Sequence, residues 1–189
     1  NLNSLYTMEE IVCWGESELL KCSIKNARRE IYWMLEDICQ VELSDIYLRN
    51  QKISKKKINI LIEWIERRKK REPIQRILGK TEFYGYNIFV NPGVFIPRPE
   101  TEKLIDVIKD FFSIDDKISI IDIGTGTGCI SIALAKIFIN SNIKAIDNSE
   151  IALKNATLNK EHYKLKNIKF SNEDIFKRPI NETYDLIVS

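Results

Sequence analysis

Three glycines at alternate positions, in Asp122-Ile123-Gly124-Thr125-Gly126-Thr127-Gly128, stand between an unbroken apolar run and a stretch of helical composition. A turn this tight needs glycine, because a β-carbon strains the backbone there and blocks the close approach of a ligand. The flanks predict a buried strand over 118–123 and a helix over 129–139, rich in Ile, Leu and Ala. The alternation continues with strands over 143–146, 168–171 and 184–188 and a helix over 150–158. Buried strands alternating with helices predict a parallel sheet with right-handed crossovers. Residues 96–189 therefore read as the beginning of a doubly wound α/β domain.

The chain before this region has a different period. Ile31, Met34, Leu35 and Ile38 fall on one face of a helix over 27–39. Ser54 is placed to cap a second long helix, whose buried stripe is Ile58, Leu61, Ile62 and Ile65. Pro73 closes that helix or opens a short one ending at Gly79. No strand pattern occurs, so residues 1–80 read as a small helical domain. Residues 81–95 are aromatic and β-branched, with Gly85 and Asn87 as turn positions, and read as a β-hairpin linker. Asn91-Pro92-Gly93 marks a turn, and Pro97 and Pro99 keep the following stretch extended. Pro99 suits the first turn of a helix to about Phe112, with Leu104, Ile108 and Phe111 as its apolar face.

Charge and composition exclude several classes. A hydrophobic fraction of 44% with 30% charged residues is that of a globular protein. No apolar run approaches the roughly 20 residues that span a bilayer, and no signal-peptide pattern opens the chain. Cys13, Cys22, Cys39 and Cys129 are scattered, which argues against a zinc site or disulfide framework and suits a reducing, cytoplasmic location. The net charge of +2 is unevenly spread: residues 1–80 hold 16 Lys and Arg against 12 Asp and Glu. Most of the excess lies at 55–57 and 67–71, which reads as a solvated helix end or as a basic docking patch.

The glycine run admits two cofactors. Nicotinamide dinucleotides favour G-x-G-x-x-G, with the helix N-terminus facing the pyrophosphate. Here the third glycine comes one residue early, as Gly128, and Cys129 holds the dinucleotide position. The G-x-G-x-G spacing is that of S-adenosylmethionine sites, where Gly124, Thr125, Gly126, Thr127 and Gly128 surround the methionine and ribose portion. Asp147 ends the second strand and can accept from ribose hydroxyls in either class, or cap the next helix. Asp174 follows the third strand and can accept from an adenine amino group or act as an ordinary loop cap. Ile175 can flank the ring. Cys129 is better read as small-residue helix packing than as a nucleophile, and His162 as a surface residue.

Further motifs carry a family resemblance from about Arg67 onward. Glu72-Pro73-Ile74-Gln75-Arg76-Ile77-Leu78-Gly79, Glu82-Phe83-Tyr84-Gly85 and Phe95-Ile96-Pro97-Arg98-Pro99-Glu100-Thr101-Glu102, followed by the glycine run, resemble the release factor glutamine methyltransferases. The resemblance implies a Rossmann-like class I S-adenosylmethionine methyltransferase domain preceded by a helical domain that helps hold the substrate. It implies methylation of the glutamine amide in the Gly-Gly-Gln motif of peptide chain release factors, in the cytoplasm, with no membrane and no direct nucleic-acid partner. Phe95 then walls the methionine and Arg98 pairs with an acid, or both belong to a structural lid segment; Asp122 completes the loop. The family's catalytic Asn-Pro-Pro-Tyr follows its fourth strand, so it is expected directly after Ser189. The chain thus reads as a C-terminally truncated fragment without a catalytic residue of its own. Where relatives often have an aromatic residue beside adenine, this chain has Ile175.

The expected chemistry is transfer of a sulfonium methyl to an amide nitrogen whose lone pair is delocalised into the carbonyl. A site assists by accepting hydrogen bonds from the NH2 and orienting it, without a charged base. Three alternatives stand beside this reading. A nucleic-acid adenine amino-methyltransferase uses similar chemistry but calls for a large basic surface. A nicotinamide-dependent oxidoreductase is disfavoured by the early Gly128. A non-catalytic cofactor-binding fragment is the third.

Overall fold

The computed structural model describes residues 6–42, 44, 53–177 and 179–189. They divide into two compact units, Asn1–Leu78 and Gly79–Ser189.

The first unit is helical. Helix α1 (Met8–Lys21) opens on a reciprocal capping box, in which Glu10 N–H reaches Thr7 Oγ1 and Thr7 N–H reaches Glu10 Oε2. Helix α2 (Ala27–Cys39) buries Ile31, Met34 and Leu35, with Ile38 partly buried at the edge. Helix α3 (Lys55–Lys69) has Ser54 at its cap position, although the hydroxyl makes no capping bond. Its stripe is narrower than its apolar spacing suggests: Leu61 and Ile65 are buried, Ile58 partly so, and Ile62 faces solvent. The described helices that pack on it cover only part of its circumference, which leaves Ile62 outside the contact. Helix α4 (Ile74–Leu78) is the short helix after Pro73, and Gly79 ends it at φ +70°.

The basic run at 67–71 is committed within this unit. Arg68 forks onto the buried Glu30 through Nε–Oε2 at 2.6 Å and Nη2–Oε1 at 3.1 Å. Arg67 pairs with Glu72, Lys69 with Glu18 and Glu66, and Arg71 donates to the Cys22 carbonyl. Arg68, Lys69 and Arg71 staple the end of α3 to α1 and α2, and Arg67 holds the turn that follows α3.

The second unit begins with an antiparallel hairpin, β1 (Lys80–Phe83) and β2 (Tyr86–Phe89). The turn lies at Tyr84-Gly85, with φ of +50° and +76°, and Asn87 belongs to β2 opposite Glu82. A two-residue turn with both φ values positive matches the twist of the strands. Tyr84 tolerates this backbone because helix α5 (Glu102–Phe111), entered through a 3-10 turn at Pro99–Thr101, holds it. Glu102 Oε1 accepts from Tyr84 N–H at 2.9 Å and Asp106 Oδ1 accepts from its hydroxyl at 2.7 Å. The hairpin is thereby part of the second unit and not a free linker. Helix α5 buries Ile105 and Ile108, while Leu104 is only partly buried and Phe111 is 78% exposed. The buried face is rotated from the expected one onto Ile105 and Ile108, and Phe111 in the last turn faces solvent.

The sheet contains β3 (Ser119–Ile123), β4 (Asn142–Asp147), β5 (Ile168–Asn172) and β6 (Leu186–Val188), all parallel in the order β5-β4-β3-β6. Helix α6 (Cys129–Ile137) links β3 to β4, and α7 (Glu150–His162) links β4 to β5. Their core holds Ile120, Ile132, Leu134, Phe138, Ile143, Ala145, Ile168 and Val188. No helix among the described residues is long and apolar enough to cross a membrane.

The ion pairs make unequal predictions. Arg68→Ala leaves the buried Glu30 carboxylate uncompensated and should cost about 3 kcal/mol of stability or more. Lys69→Ala, whose partners keep solvent access, should cost at most about 1 kcal/mol. Denaturant unfolding of the two variants checks the contrast.

Candidate functional site

The carboxyl edge of the sheet is where ligands of open α/β folds bind, and the glycine loop forms its centre. Gly124, Gly126 and Gly128 have φ of +73°, +58° and +79°. The amides of Gly124 and Thr125 both donate to the Ile146 carbonyl, at 2.8 and 3.0 Å, which folds the loop back over β4.

The three glycines differ in what surrounds them. A β-carbon built on Gly124 meets nothing within 4 Å, and one on Gly126 meets only the Gly124 carbonyl at 3.9 Å. The loop thus presents bare backbone to open space at these two positions. A β-carbon on Gly128 would lie 3.1 Å from Ala156 Cβ and 3.4 Å from Phe170 Cζ. Gly128 therefore lets α7 and β5 pack close and faces no open space. Close packing is also the role of the last glycine in the dinucleotide fingerprint, so the spacing alone separates the two cofactor classes less sharply than the sequence suggests.

Two carboxylates brace the loop. Asp122, 1% exposed, accepts through Oδ2 from the Thr125 hydroxyl at 2.7 Å and the Ser131 hydroxyl at 2.6 Å. Burial drives its pKa above the ordinary carboxylate range, and the two hydroxyls partly offset this. Asp147, at the end of β4, accepts from Gly126 N–H through Oδ2 and from Ser149 N–H through Oδ1, both at 2.9 Å. Ser149 caps α7 in turn. Asp147 is thus both a loop brace and part of the helix cap, with acceptor capacity left over.

The other residues marked by the sequence lie apart in role. Thr127 is buried, and its side chain bonds the Cys129 thiol, whose pKa burial pushes up to about 11. That thiol is a packing group. Asp174 receives Phe176 N–H at 3.0 Å and pairs with Lys177, so it closes a turn after β5. Ile175 borders solvent, while Phe95 is 91% and Phe176 95% exposed. Arg98 is exposed at the entrance to the 3-10 turn. His162 is exposed at the last residue of α7, edge-on to Phe89 at 5.1 Å. No group of three or more His, Cys, Asp or Glu able to hold a metal occurs among the described residues.

Sequence reasoning missed Ser131, Asn155 and Asn159. Both asparagines are fully buried on α7 and bond the backbone of the hairpin end; Asn159 also reaches the Thr127 carbonyl. The signal was present as two amides at i, i+4 on the side of α7 that also buries Ala152 and Ala156. Ser131 reads as one small residue among many in an apolar helix.

Comparison with known proteins adds a direct finding. Residues 10–79 match the family model of the PrmC N-terminal domain, and residues 114–189 that of a methyltransferase domain. The release factor glutamine methyltransferase of Coxiella burnetii is 36% identical over 155 residues, covering 82% of this chain and 56% of its own. That of Flavobacterium psychrophilum is 41% identical over 140 residues, covering 68% and 47%. That of Geobacter sulfurreducens is 30% identical over 186 residues, covering 98% and 64%. The chain spans between 47% and 64% of the length of these curated relatives. The parallel sheet with its crossover helices is a Rossmann-like class I methyltransferase fold.

Asp122 gives the site a pH signature. Its folded carboxyl holds the proton more tightly than the unfolded chain does, so its contribution to stability falls as pH rises. The fall starts from the ordinary aspartate value of about 4 and ends at the raised one. The melting temperature of the parent minus that of Asp122→Asn should decrease across this window. A flat or rising difference contradicts the assignment.

Proposed function

Since the chain belongs to the release factor glutamine methyltransferase family, we propose that it forms the substrate-docking and cofactor-binding parts of an enzyme that methylates a glutamine side-chain amide in peptide chain release factors. S-adenosylmethionine is the cofactor, and it supplies an electrophilic methyl on a sulfonium. The observation that carries the reading is the bare, left-handed backbone of Gly124 and Gly126 over open space, braced from beneath by Asp122 and Asp147.

The residues present fit the cofactor. Gly124, Thr125 and Gly126 supply the backbone against which its methionine and ribose lie. Asp147 has acceptor capacity beyond the two amides it holds, which suits ribose hydroxyls. Asp174 spends Oδ1 on Phe176 N–H and keeps acceptor capacity for an adenine amino group, with Ile175 beside it. Phe95 and Arg98 are exposed on the segment after the hairpin and are available to wall the pocket. Asp122, Thr127 and Gly128 shape the loop from behind, because each is buried or packed against protein.

For the transfer, the target amide needs its NH2 oriented and polarised by acceptors, a contribution of positioning and electrostatics without a charged base. The register of β3 with β6 sets Asp122 opposite Val188, which brings Ser189 to the carboxyl edge beside the glycine loop. The family places its Asn-Pro-Pro-Tyr acceptors directly after this strand. In the first unit, Arg67, Arg68 and Lys69 are engaged in internal pairs, and the exposed helical surface is the part that meets the release factor.

The experiment is methyl transfer by the full-length product of the gene, with labelled S-adenosylmethionine and a purified release factor. One methyl on the glutamine of the Gly-Gly-Gln motif is expected. Label appearing on adenine of nucleic acid, with none on the release factor, overturns the reading.

A further inference from the structure

The end of the hairpin and the glycine loop are tied together through α7 by two side chains that touch no solvent. Asn159 accepts Phe89 N–H at 2.7 Å and donates to the carbonyls of Phe89 and Thr127, both at 3.0 Å. One turn earlier, Asn155 accepts Asn91 N–H at 2.6 Å and donates to the same Phe89 carbonyl at 2.7 Å. Both residues are 0% exposed, and each amide bonds backbone through both its oxygen and its nitrogen, so neither exchanges these partners for water. The small residues between and before them, Ala152 and Ala156, let the hairpin and loop approach the helix closely. Beyond Asn91 the chain turns against the first turn of α7, where Gly93 leaves 3.4 Å for a β-carbon beside Ile151 Cγ2, and Val94 is buried. The next residues are those of the exposed Phe95 and Arg98.

This is a continuous path from the loop carbonyl of Thr127 through Asn159, Phe89 and Asn155 to Asn91 and Val94. It is short, its two asparagine side chains are buried, and its planar amides have fixed donor and acceptor directions, so a displacement at one end is passed on and not absorbed. We propose that Asn155 and Asn159 are positioning residues that make the glycine loop and the 91–98 segment one mechanical unit. A ligand seated on the loop thereby also fixes the segment that carries Phe95 and Arg98. The inference rests on the reading that the loop holds S-adenosylmethionine, and its test separates the two.

Hydrogen exchange of the full-length protein, with and without S-adenosylhomocysteine, reads the coupling directly. In the wild type, amides at 124–128 and at 91–98 should both slow on binding, the latter by at least about fivefold. Asn155 touches the hairpin end but not the loop. In Asn155→Ala the ligand should still bind within about threefold of wild type and still protect 124–128, while protection at 91–98 is lost. Melting of the ligand-free variant shows that it is folded, and Asn155→Leu, which keeps the volume but cannot accept Asn91 N–H, is read the same way if Ala is not tolerated. Protection at 91–98 that survives in a folded Asn155 variant means the ligand touches the segment directly, and overturns the coupling. Ligand that protects 124–128 of the wild type without affecting 91–98 overturns it as well. Failure of the wild type to bind the ligand overturns the functional reading itself.

Discussion

The turn from β3 into α6 is the constraint on which the second unit is built. Its backbone adopts left-handed angles at alternate residues, a conformation held from outside because it closes no regular hydrogen-bond ladder of its own. The Asp147 carboxylate supplies one anchor by accepting the Gly126 amide across from the neighbouring strand, and a charge-assisted bond of this kind contributes about 1.5–3 kcal/mol. The Ile146 carbonyl supplies another by accepting two successive loop amides. Asp122 supplies a third from within the core through Thr125 and Ser131. A buried carboxylate is costly, and the two hydroxyls aimed at one oxygen reduce that cost without removing it, which is why its pKa stays raised.

The hairpin is the second element that this geometry recruits. One end is held by α5, through Glu102 and Asp106 on Tyr84, and the other by α7, through Asn155 and Asn159 on Phe89 and Asn91. Two motifs far apart in the chain are therefore halves of one contact. Tyr84 of Glu-Phe-Tyr-Gly holds a strained turn only because the last glutamate of Pro-Glu-Thr-Glu accepts its amide. The segment between, with Phe95 and Arg98 exposed, is suspended between two fixed points. That arrangement suits a wall that must sit beside a ligand without being part of the core.

Much of this was legible before any coordinates. The strands over 118–123 and 143–146 and the helix over 150–158 follow from continuous apolar runs and small-residue patterns, which leave few alternatives in a buried parallel sheet. The capping box is legible as Thr7-x-x-Glu10, which marks the start of α1. The face of α5 and the exposure of Ile62 were misjudged, because periodicity reports which residues share a side and not how much of that side a neighbour covers. Gly128 was assigned to the ligand because spacing cannot tell a glycine that faces open space from one that faces Ala156. The asparagines of α7 show in the sequence only as two amides at i, i+4, and their role is hidden for a related reason: their partners are backbone groups of the hairpin end 64 to 70 residues away in the chain. Long-range satisfaction of polar groups is set by tertiary structure, and a local pattern does not name the partner.

The central claim is that bare backbone at Gly124 and Gly126 is a cradle for S-adenosylmethionine and not for a dinucleotide. Calorimetric titration of the full-length protein with S-adenosylhomocysteine, and separately with reduced nicotinamide adenine dinucleotide, tests it most directly. The account predicts one-to-one binding of the first, no heat from the second, and loss of the first by tenfold or more, about 1.4 kcal/mol, in Gly124→Val. Saturable binding of the dinucleotide, or undiminished binding of S-adenosylhomocysteine to Gly124→Val, would contradict it.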